Sequence, residues 1–322
     1  MIVTITMNPS IDISYPLGEF KVDTVNRCDI ARKTAGGKGL NVSRVLHQLD
    51  DPVTATGLLG GALGEFIKKN LAATGISFAF SKIAEETRNC VAILHDGKQT
   101  EILESGPIVS EAELVAFHQD LDTLLREATV LSISGSLPKD APTDYYNQLL
   151  DMAKAKNIPV VLDTSGASLL AAVQHANQPY LIKPNAEEVA SLLGIPEITY
   201  LTDLKISLQS ELLRDIPVIV VSLGSDGAFV KADDKFYKVA IPKIEVKNPV
   251  GSGDSTVAGL VSGIYHKQPL TDYLKKAMVL GMLNVQEATT GHVNLANYDT
   301  FYRQIKVTEI KKKRRTRYVS NE

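Results

Sequence analysis

The chain has 322 residues, 44% hydrophobic and 22% charged, with a formal net charge of −3. That composition supplies a full core and excludes a disordered, collagen-like or disulfide-scaffold protein. Six of the 34 Lys and Arg residues and one of the 37 Asp and Glu residues lie at 311–322, so the first 310 residues carry −8. Such a body has no basic field to attract nucleic acid, which is not expected as a partner. Cys28 and Cys90 stand far apart with no metal or redox spacing, no secretory leader is evident, and no run of 18 apolar residues predicts a membrane span. A cytoplasmic location is the expectation.

In chain order, residues 2–6 read as a buried strand. Residues 24–34 alternate polar and apolar side chains, as do 89–94 and 100–103, which flank the hairpin dipeptide Asp96-Gly97. These stretches predict a small antiparallel β lid from about 12–35 and 87–105. Its apolar face would cover substrate or pair with another subunit. Residues 40–49 and 63–73 have helical spacing, 53–58 is a second strand, and Ser110 with Glu113 forms a capping box. From 129 onward, apolar runs at 129–133, 158–162, 180–182 and 217–221 alternate with helical patterns at 143–155, 186–193 and 203–213. That alternation predicts a doubly wound α/β domain with a mostly parallel sheet over 1–310. The strands end in Ser134-Gly-Ser136, Asp163, Lys183-Pro-Asn185 and Ser222-Leu-Gly224, and ligands bind beyond such ends. The run Lys311-Lys-Lys-Arg-Arg-Thr-Arg317 predicts a disordered basic tail over 311–322.

Two glycine-rich segments carry the chemistry. Asn248-Pro-Val-Gly-Ser-Gly-Asp254 leads into an apolar helical pattern, so the N–H groups of Gly251, Ser252 and Gly253 fall at a helix start and form an anion site. Asp254 is then either a helix cap or a base beside that anion site. The other segment, Ala35-Gly-Gly-Lys-Gly-Leu-Asn41, admits a polar ligand against its backbone, and Lys38 adds a charge for phosphate. Neither segment completes a dinucleotide-binding fingerprint, and GxxxxGK[ST] is absent from the sequence.

Together, in order and separation, Gly36-Gly-Lys-Gly-Leu-Asn41 and Asn248-Pro-Val-Gly-Ser-Gly-Asp254 resemble the two motifs of the ribokinase-like PfkB carbohydrate kinases, with similarity over residues 1–310. Thr6-Met-Asn-Pro-Ser-Ile-Asp-Ile-Ser14, Glu86-Thr-Arg-Asn-Cys-Val-Ala92 and Gly251-Ser-Gly-Asp-Ser-Thr-Val-Ala-Gly259 are most similar to the branch that acts on D-tagatose 6-phosphate. The resemblance implies that Asp254 is the general base and that Gly251, Ser252 and Gly253 form the anion hole for the transferring phosphoryl. It assigns Mg²⁺ to Asn185 and Glu188, and ATP to Ser222, Gly224 and Gly227 with Lys183 and Asn185 nearby and Asn284 near the adenine. It gives the sugar hydroxyls to Asp12, Gly37 and Asn41, and the sugar phosphate to Lys38, Arg88 and Arg27 with the Ser136 hydroxyl. Residue chemistry alone leaves simpler readings open: Glu188 as a first-turn helix acid, Asn284 as a buried hydrogen-bonder, and the two arginines as solvated strand charges.

The activity the resemblance implies is ATP-dependent phosphorylation of the 1-hydroxyl of D-tagatose 6-phosphate, giving tagatose 1,6-bisphosphate in lactose or galactose breakdown. A 1-phosphofructokinase is the alternative enzyme, and a sugar-phosphate sensor the alternative without turnover. Arg27 and Arg88 both fall in the lid, and one of them could cross from a neighbouring subunit, so a homodimer through the lid is expected.

Overall fold

The computed structural model describes residues 1–311, so the predicted tail beyond Lys311 lies outside the described residues. The first half of the chain forms β1 (Ile2–Thr6), β2 (Ser10–Pro16), β3 (Arg32–Gly36), α1 (Lys38–Gln48), β4 (Val53–Gly60), α2 (Gly61–Thr74), β5 (Ser77–Ile83), β6 (Arg88–His95), β7 (Lys98–Leu103), α3 (Glu111–Leu124), β8 (Val130–Ser134) and α4 (Tyr145–Ala155). The second half adds β9 (Val160–Asp163), α5 (Gly166–Gln174), β10 (Leu181–Ile182), α6 (Ala186–Leu193), α7 (Leu201–Ser207), β11 (Val218–Ser222), β12 (Ala228–Ala232), β13 (Lys235–Ala240), α8 (Ser252–Tyr265), α9 (Leu270–Val285), α10 (Tyr298–Gln304) and β14 (Lys306–Glu309).

One sheet of ten strands runs β5-β4-β1-β8-β9-β10-β11-β12-β13-β14. The seven strands from β5 to β11 are parallel, and β12 to β14 extend the sheet antiparallel. Strands β1, β8 and β9 are buried at every residue, as apolar runs covered on both faces must be. Successive side chains point to opposite faces. Ile2, Val130 and Val161 therefore pack on Val42, Leu46, Leu260 and Leu280 of α1, α8 and α9. Val3, Leu131 and Leu162 pack on Phe117, Leu149, Leu169 and Val189 of α3 to α6. The result is the expected helix–sheet–helix sandwich, with β8 to β11 ending side by side.

A second sheet, ordered β3-β2-β6-β7, forms the lid. Its outer pairings are antiparallel, while the central pair β2–β6 runs parallel. The expected strand over 24–34 is confined to β3. Before it, Asn26 both accepts from the Lys21 N–H at 3.0 Å and donates to the Lys21 carbonyl at 2.7 Å, and Asp23 adopts a positive φ. Side-chain bonds of this kind replace ladder bonds with a turn. The hairpin at Asp96-Gly97 joins β6 and β7, with both residues at positive φ. Ser110 and Glu113 close their capping box at the start of α3. Helix α7 ends at Ser207, short of the expected 203–213.

Candidate active site

The two glycine segments meet at the carboxyl ends of the parallel strands. Helix α8 starts at Ser252 with Gly251 as its cap, at φ 81, and has no side-chain capping bond. The Ser252 N–H, expected in the anion hole, is instead spent on the Pro249 carbonyl at 3.4 Å; among the described residues the N–H groups of Gly253 and Asp254 have no partner, and the Ser255 N–H closes the first helical turn on the Gly251 carbonyl. Free donors at the positive end of a 14-residue helix suit an anion. A β-carbon at Gly253 would lie 3.5 Å from Lys183 Nζ, so the Lys183 ammonium sits beside the same turn.

Asp254 does not cap its helix. It is the third helical residue, 6% exposed, and its Oδ2 accepts from Asn41 Nδ2 of α1 at 2.6 Å. Burial, with Asp163 repulsion adding to it, pushes the Asp254 carboxyl up to about 6, against the Asn41 bond and the Lys38 and Lys183 charges. A carboxylate with that value is ionised at neutral pH and still able to take a proton.

Asp163, at the end of β9, receives two ammonium groups: Lys38 Nζ at 3.5 Å and Lys183 Nζ at 3.4 Å. Against its own burial, Lys183 and Lys38 hold Asp163 below the usual carboxylate range, and Asp163 in return raises Lys38. Lys38 is thus kept charged, with its ammonium and that of Lys183 on the same carboxylate beside the anion turn. Gly37 caps α1 with φ 110 and places Lys38 and Asn41 in the first turn of that helix.

The lid contributes Asp12 of β2 and Arg88 at the start of β6. Gly36 lets Asp12 lie directly on the glycine segment, since a β-carbon there would come within 2.0 Å of Asp12 Cγ. Ser10 Oγ donates to Asp12 Oδ1 at 2.6 Å. Burial nevertheless raises the Asp12 carboxyl, opposed by Ser10 and by the Arg44 and Arg88 charges. Arg88 donates to the Glu104 carbonyl at 2.7 Å and the Asn8 carbonyl at 3.1 Å, while its buried Nε has no protein partner. Asn8 Nδ2 reaches the Ser105 carbonyl at 3.0 Å, the Leu137 carbonyl at 3.1 Å and Ser136 Oγ at 3.5 Å. Arg88 and Ser136 therefore meet around Asn8.

Four expected residues take other positions or partners. Arg27 is exposed in the loop before β3 and lines a cavity of about 460 Å³ with Asn26 and Asp29. No bond to it from the other site residues occurs among the described residues, so Arg27 is not brought to Arg88 within one chain. Asn284 is 1% exposed and donates to the His292 carbonyl at 3.1 Å, and its Oδ1 would lie 3.0 Å from a β-carbon at Gly251. It braces the anion turn from inside and offers no open face to an adenine. Asn185 and Glu188 form a reciprocal capping box at α6, with bonds of 2.7 and 2.8 Å, as a first-turn acid would. That box uses Glu188 Oε2. Glu188 still raises Lys38 electrostatically, and its other carboxylate oxygen has no hydrogen bond among the described residues.

Ser222 ends β11 with its N–H on the Pro184 carbonyl at 3.0 Å, next to Asn185. Gly224 opens and Gly227 closes the single 3₁₀ turn that follows. Sequence reasoning named Asp163 only as a strand ending and gave no role to Asn8 or Arg44. Asp163 could have been read from its place among aligned strand ends, whereas Asn8 and Arg44 act on backbone carbonyls that carry no sequence signal.

No helix among the described residues is long and apolar enough to cross a membrane. Residues 3–296 match the pfkB family of carbohydrate kinases. The fold is similar to a Staphylococcus aureus protein provisionally assigned as a phosphofructokinase, at 31% identity over 96% of this chain and 99% of that one, with a TM-score of 0.80. It is also similar to Escherichia coli phosphofructokinase-2, solved in complex with potassium, at 26% identity over 94% and 98% of the two chains (TM-score 0.86). A Thermotoga maritima protein provisionally assigned as 1-phosphofructokinase shares 25% identity over 97% and 100%, with a TM-score of 0.86. With a match over nearly its whole length and a cleft assembled from both glycine segments, the chain belongs to the pfkB family of carbohydrate kinases.

Proposed function

We propose that the chain transfers the γ-phosphoryl group of ATP to the 1-hydroxyl of a ketohexose 6-phosphate, D-tagatose 6-phosphate first and fructose 6-phosphate next. The observation that carries this reading is the buried Asp254 carboxylate, held by Asn41 from the sugar-side glycine segment and borne on the same first helical turn as the free N–H groups. Asp254 takes the hydroxyl proton as the hydroxyl oxygen bonds to the γ-phosphorus. The bond to the bridging oxygen breaks, and ADP leaves with its electron pair. The Gly253 and Asp254 N–H groups, with Lys183, receive the charge that develops on the transferring oxygens. Asp12, Gly37 and Asn41 hold sugar hydroxyls. Arg88 and Ser136, brought together around Asn8, hold the 6-phosphate, while Lys38, on Asp163 beside Lys183, serves the phosphoryl end instead of the 6-phosphate.

Ser222, Gly224 and Gly227 form the ATP side. Among the described residues no group of three His, Cys, Asp or Glu side chains is arranged to hold a metal. Mg²⁺ carried in on the nucleotide needs only a few protein ligands, and the uncommitted oxygen of Glu188 fits it through water, beside Asn185. Bound there, the ion would neutralise phosphate charge.

The relatives named phosphofructokinase and 1-phosphofructokinase support phosphorylation of a phosphorylated ketohexose, and the second favours fructose 1-phosphate as the alternative acceptor. A base poised at about 6 argues for turnover over sensing. The lid region exposes Val22, Val25, Ile30, Ile102 and Leu103, apolar surface suited to a second copy of the chain, which is where Arg27 would find a site to complete. A coupled assay at equal concentrations of tagatose 6-phosphate, fructose 6-phosphate and fructose 1-phosphate ranks the acceptors by kcat/KM. The proposal expects tagatose 6-phosphate first, and a lead for fructose 1-phosphate would replace it.

A further inference from the structure

Asn41 and Arg44 lie three residues apart in α1, on one face of the helix. The Arg44 guanidinium donates through one terminal nitrogen to Asn41 Oδ1 and through the other to the Ala35 carbonyl in β3. Gly291 closes over the pair: a β-carbon there would be 3.0 Å from Arg44 Nε and 3.3 Å from Asn41 Oδ1. An asparagine amide has an acceptor end and a donor end. With the acceptor end taken by a cation, the NH₂ end faces Asp254 Oδ2 at 2.6 Å. Turned over, the amide would set its oxygen against the Asp254 carboxylate, two acceptors with no proton between them unless Asp254 binds one.

We infer that Arg44 is a positioning residue for Asp254: by fixing the direction of the Asn41 amide, it keeps the carboxylate accepting a hydrogen bond and ready to receive a proton. The inference rests on the reading of Asp254 as the base, and it adds the group that prepares that base. Arg44 reaches Asp254 through Asn41, and it also bonds β3 of the lid, so one side chain joins the lid's inner strand to the proton acceptor. The other charged groups that face Asp254 are Asp163 at the end of β9, Lys38 on α1 and Lys183 at the end of β10. Their effects do not depend on which way the amide points. A double-mutant cycle therefore separates an effect carried by Asn41 from a direct effect of the Arg44 charge.

The carboxyl titration of Asp254 is followed by ¹³C NMR in the full chain, assigned by difference against Asp254→Asn. Arg44→Met is expected to raise the midpoint by about one pH unit, the scale of one lost hydrogen bond to the ionised form. In an Asn41→Ala background the same change should raise it by less than half as much. The acid limb of kcat/KM with ATP and fructose 6-phosphate moves with the midpoint. An unmoved midpoint, or an equal displacement in both backgrounds, overturns the inference. Should Arg44→Met fail to fold, Arg44→Lys decides. One ammonium cannot bridge Ala35 and Asn41 as the guanidinium does, so the midpoint should rise in the chain that keeps Asn41 and stay fixed in the Asn41→Ala background, and any other pattern overturns the inference. The titration needs no turnover, so a chain that shows the Arg44 effect and transfers no phosphoryl group refutes the proposed reaction and supports the positioning.

Discussion

Replacing Asp254 by Asn removes a buried charge and keeps the shape of the side chain and an acceptor for Asn41. Burial and Asp163 raise the Asp254 carboxyl from 3.8 to about 6 in the folded chain. A carboxyl raised on folding leaves stability intact below about pH 4, where it is protonated in both states, and costs stability as pH climbs through 6. At about 1.4 kcal/mol per unit, the ionised side chain costs about 3 kcal/mol at pH 7.5 and about 1 kcal/mol at pH 4.5. Asp254→Asn should therefore unfold at a higher temperature than the parent chain, by about 5 °C at pH 7.5 and by a third of that at pH 4.5. Calorimetry at the two pH values, without ligands, measures both differences. A variant no more stable than the parent at pH 7.5, or a gain that is the same at both pH values, refutes the reasoning that the site stores strain in this carboxylate.

Because the base must be ionised, kcat/KM should fall about tenfold per pH unit below about 6 and be flat from 6.5 to 8; a flat profile down to pH 5 would detach Asp254 from the rate. Arg88→Ala should raise KM for the sugar phosphate by about 10–100-fold, the worth of a charge-assisted bond, and leave KM for ATP unchanged. A change confined to ATP would reverse the two ends of the cleft. Gly36→Ala puts a methyl group within 2.0 Å of the Asp12 carboxylate and must displace it. Acceptor KM should rise at least about tenfold while thermal stability moves by no more than about 2 kcal/mol, and steady-state kinetics with both substrates varied checks it.

Much of the framework is legible in the sequence because buried parallel strands must be apolar throughout. Ile2–Thr6 and Val130–Ser134 announce themselves as such runs, and the polar residues that follow β8 to β11 mark one edge of the sheet. The antiparallel extension is hidden by Lys231, a charge in the middle of β12 that is buried only because its ammonium donates to the Ile216 carbonyl at 2.6 Å. The lid is legible in its hairpin and not in its centre. Strands β2 and β6 pair in parallel across more than 70 residues, with no turn between them to signal the partnership. At the site, the glycines point to Asp254 and Asn41 because close backbone approach leaves few alternatives to glycine. The contacts that orient those side chains escape, since Asn8 works on carbonyls at 105 and 137 and Arg44 on one at 35. Only the folded backbone brings such carbonyls within reach.

The central claim is that Asp254 accepts the hydroxyl proton as the phosphoryl group moves. Its most direct measurement is kcat for ADP formation by the parent chain and by Asp254→Asn, with saturating ATP, Mg²⁺ and the best of the three ketohexose phosphates. The account predicts a fall of about 10²–10⁴ in kcat with both KM values nearly unchanged. A variant that turns over at the parent rate would contradict it, as would a parent chain that forms no ADP with any of the three acceptors.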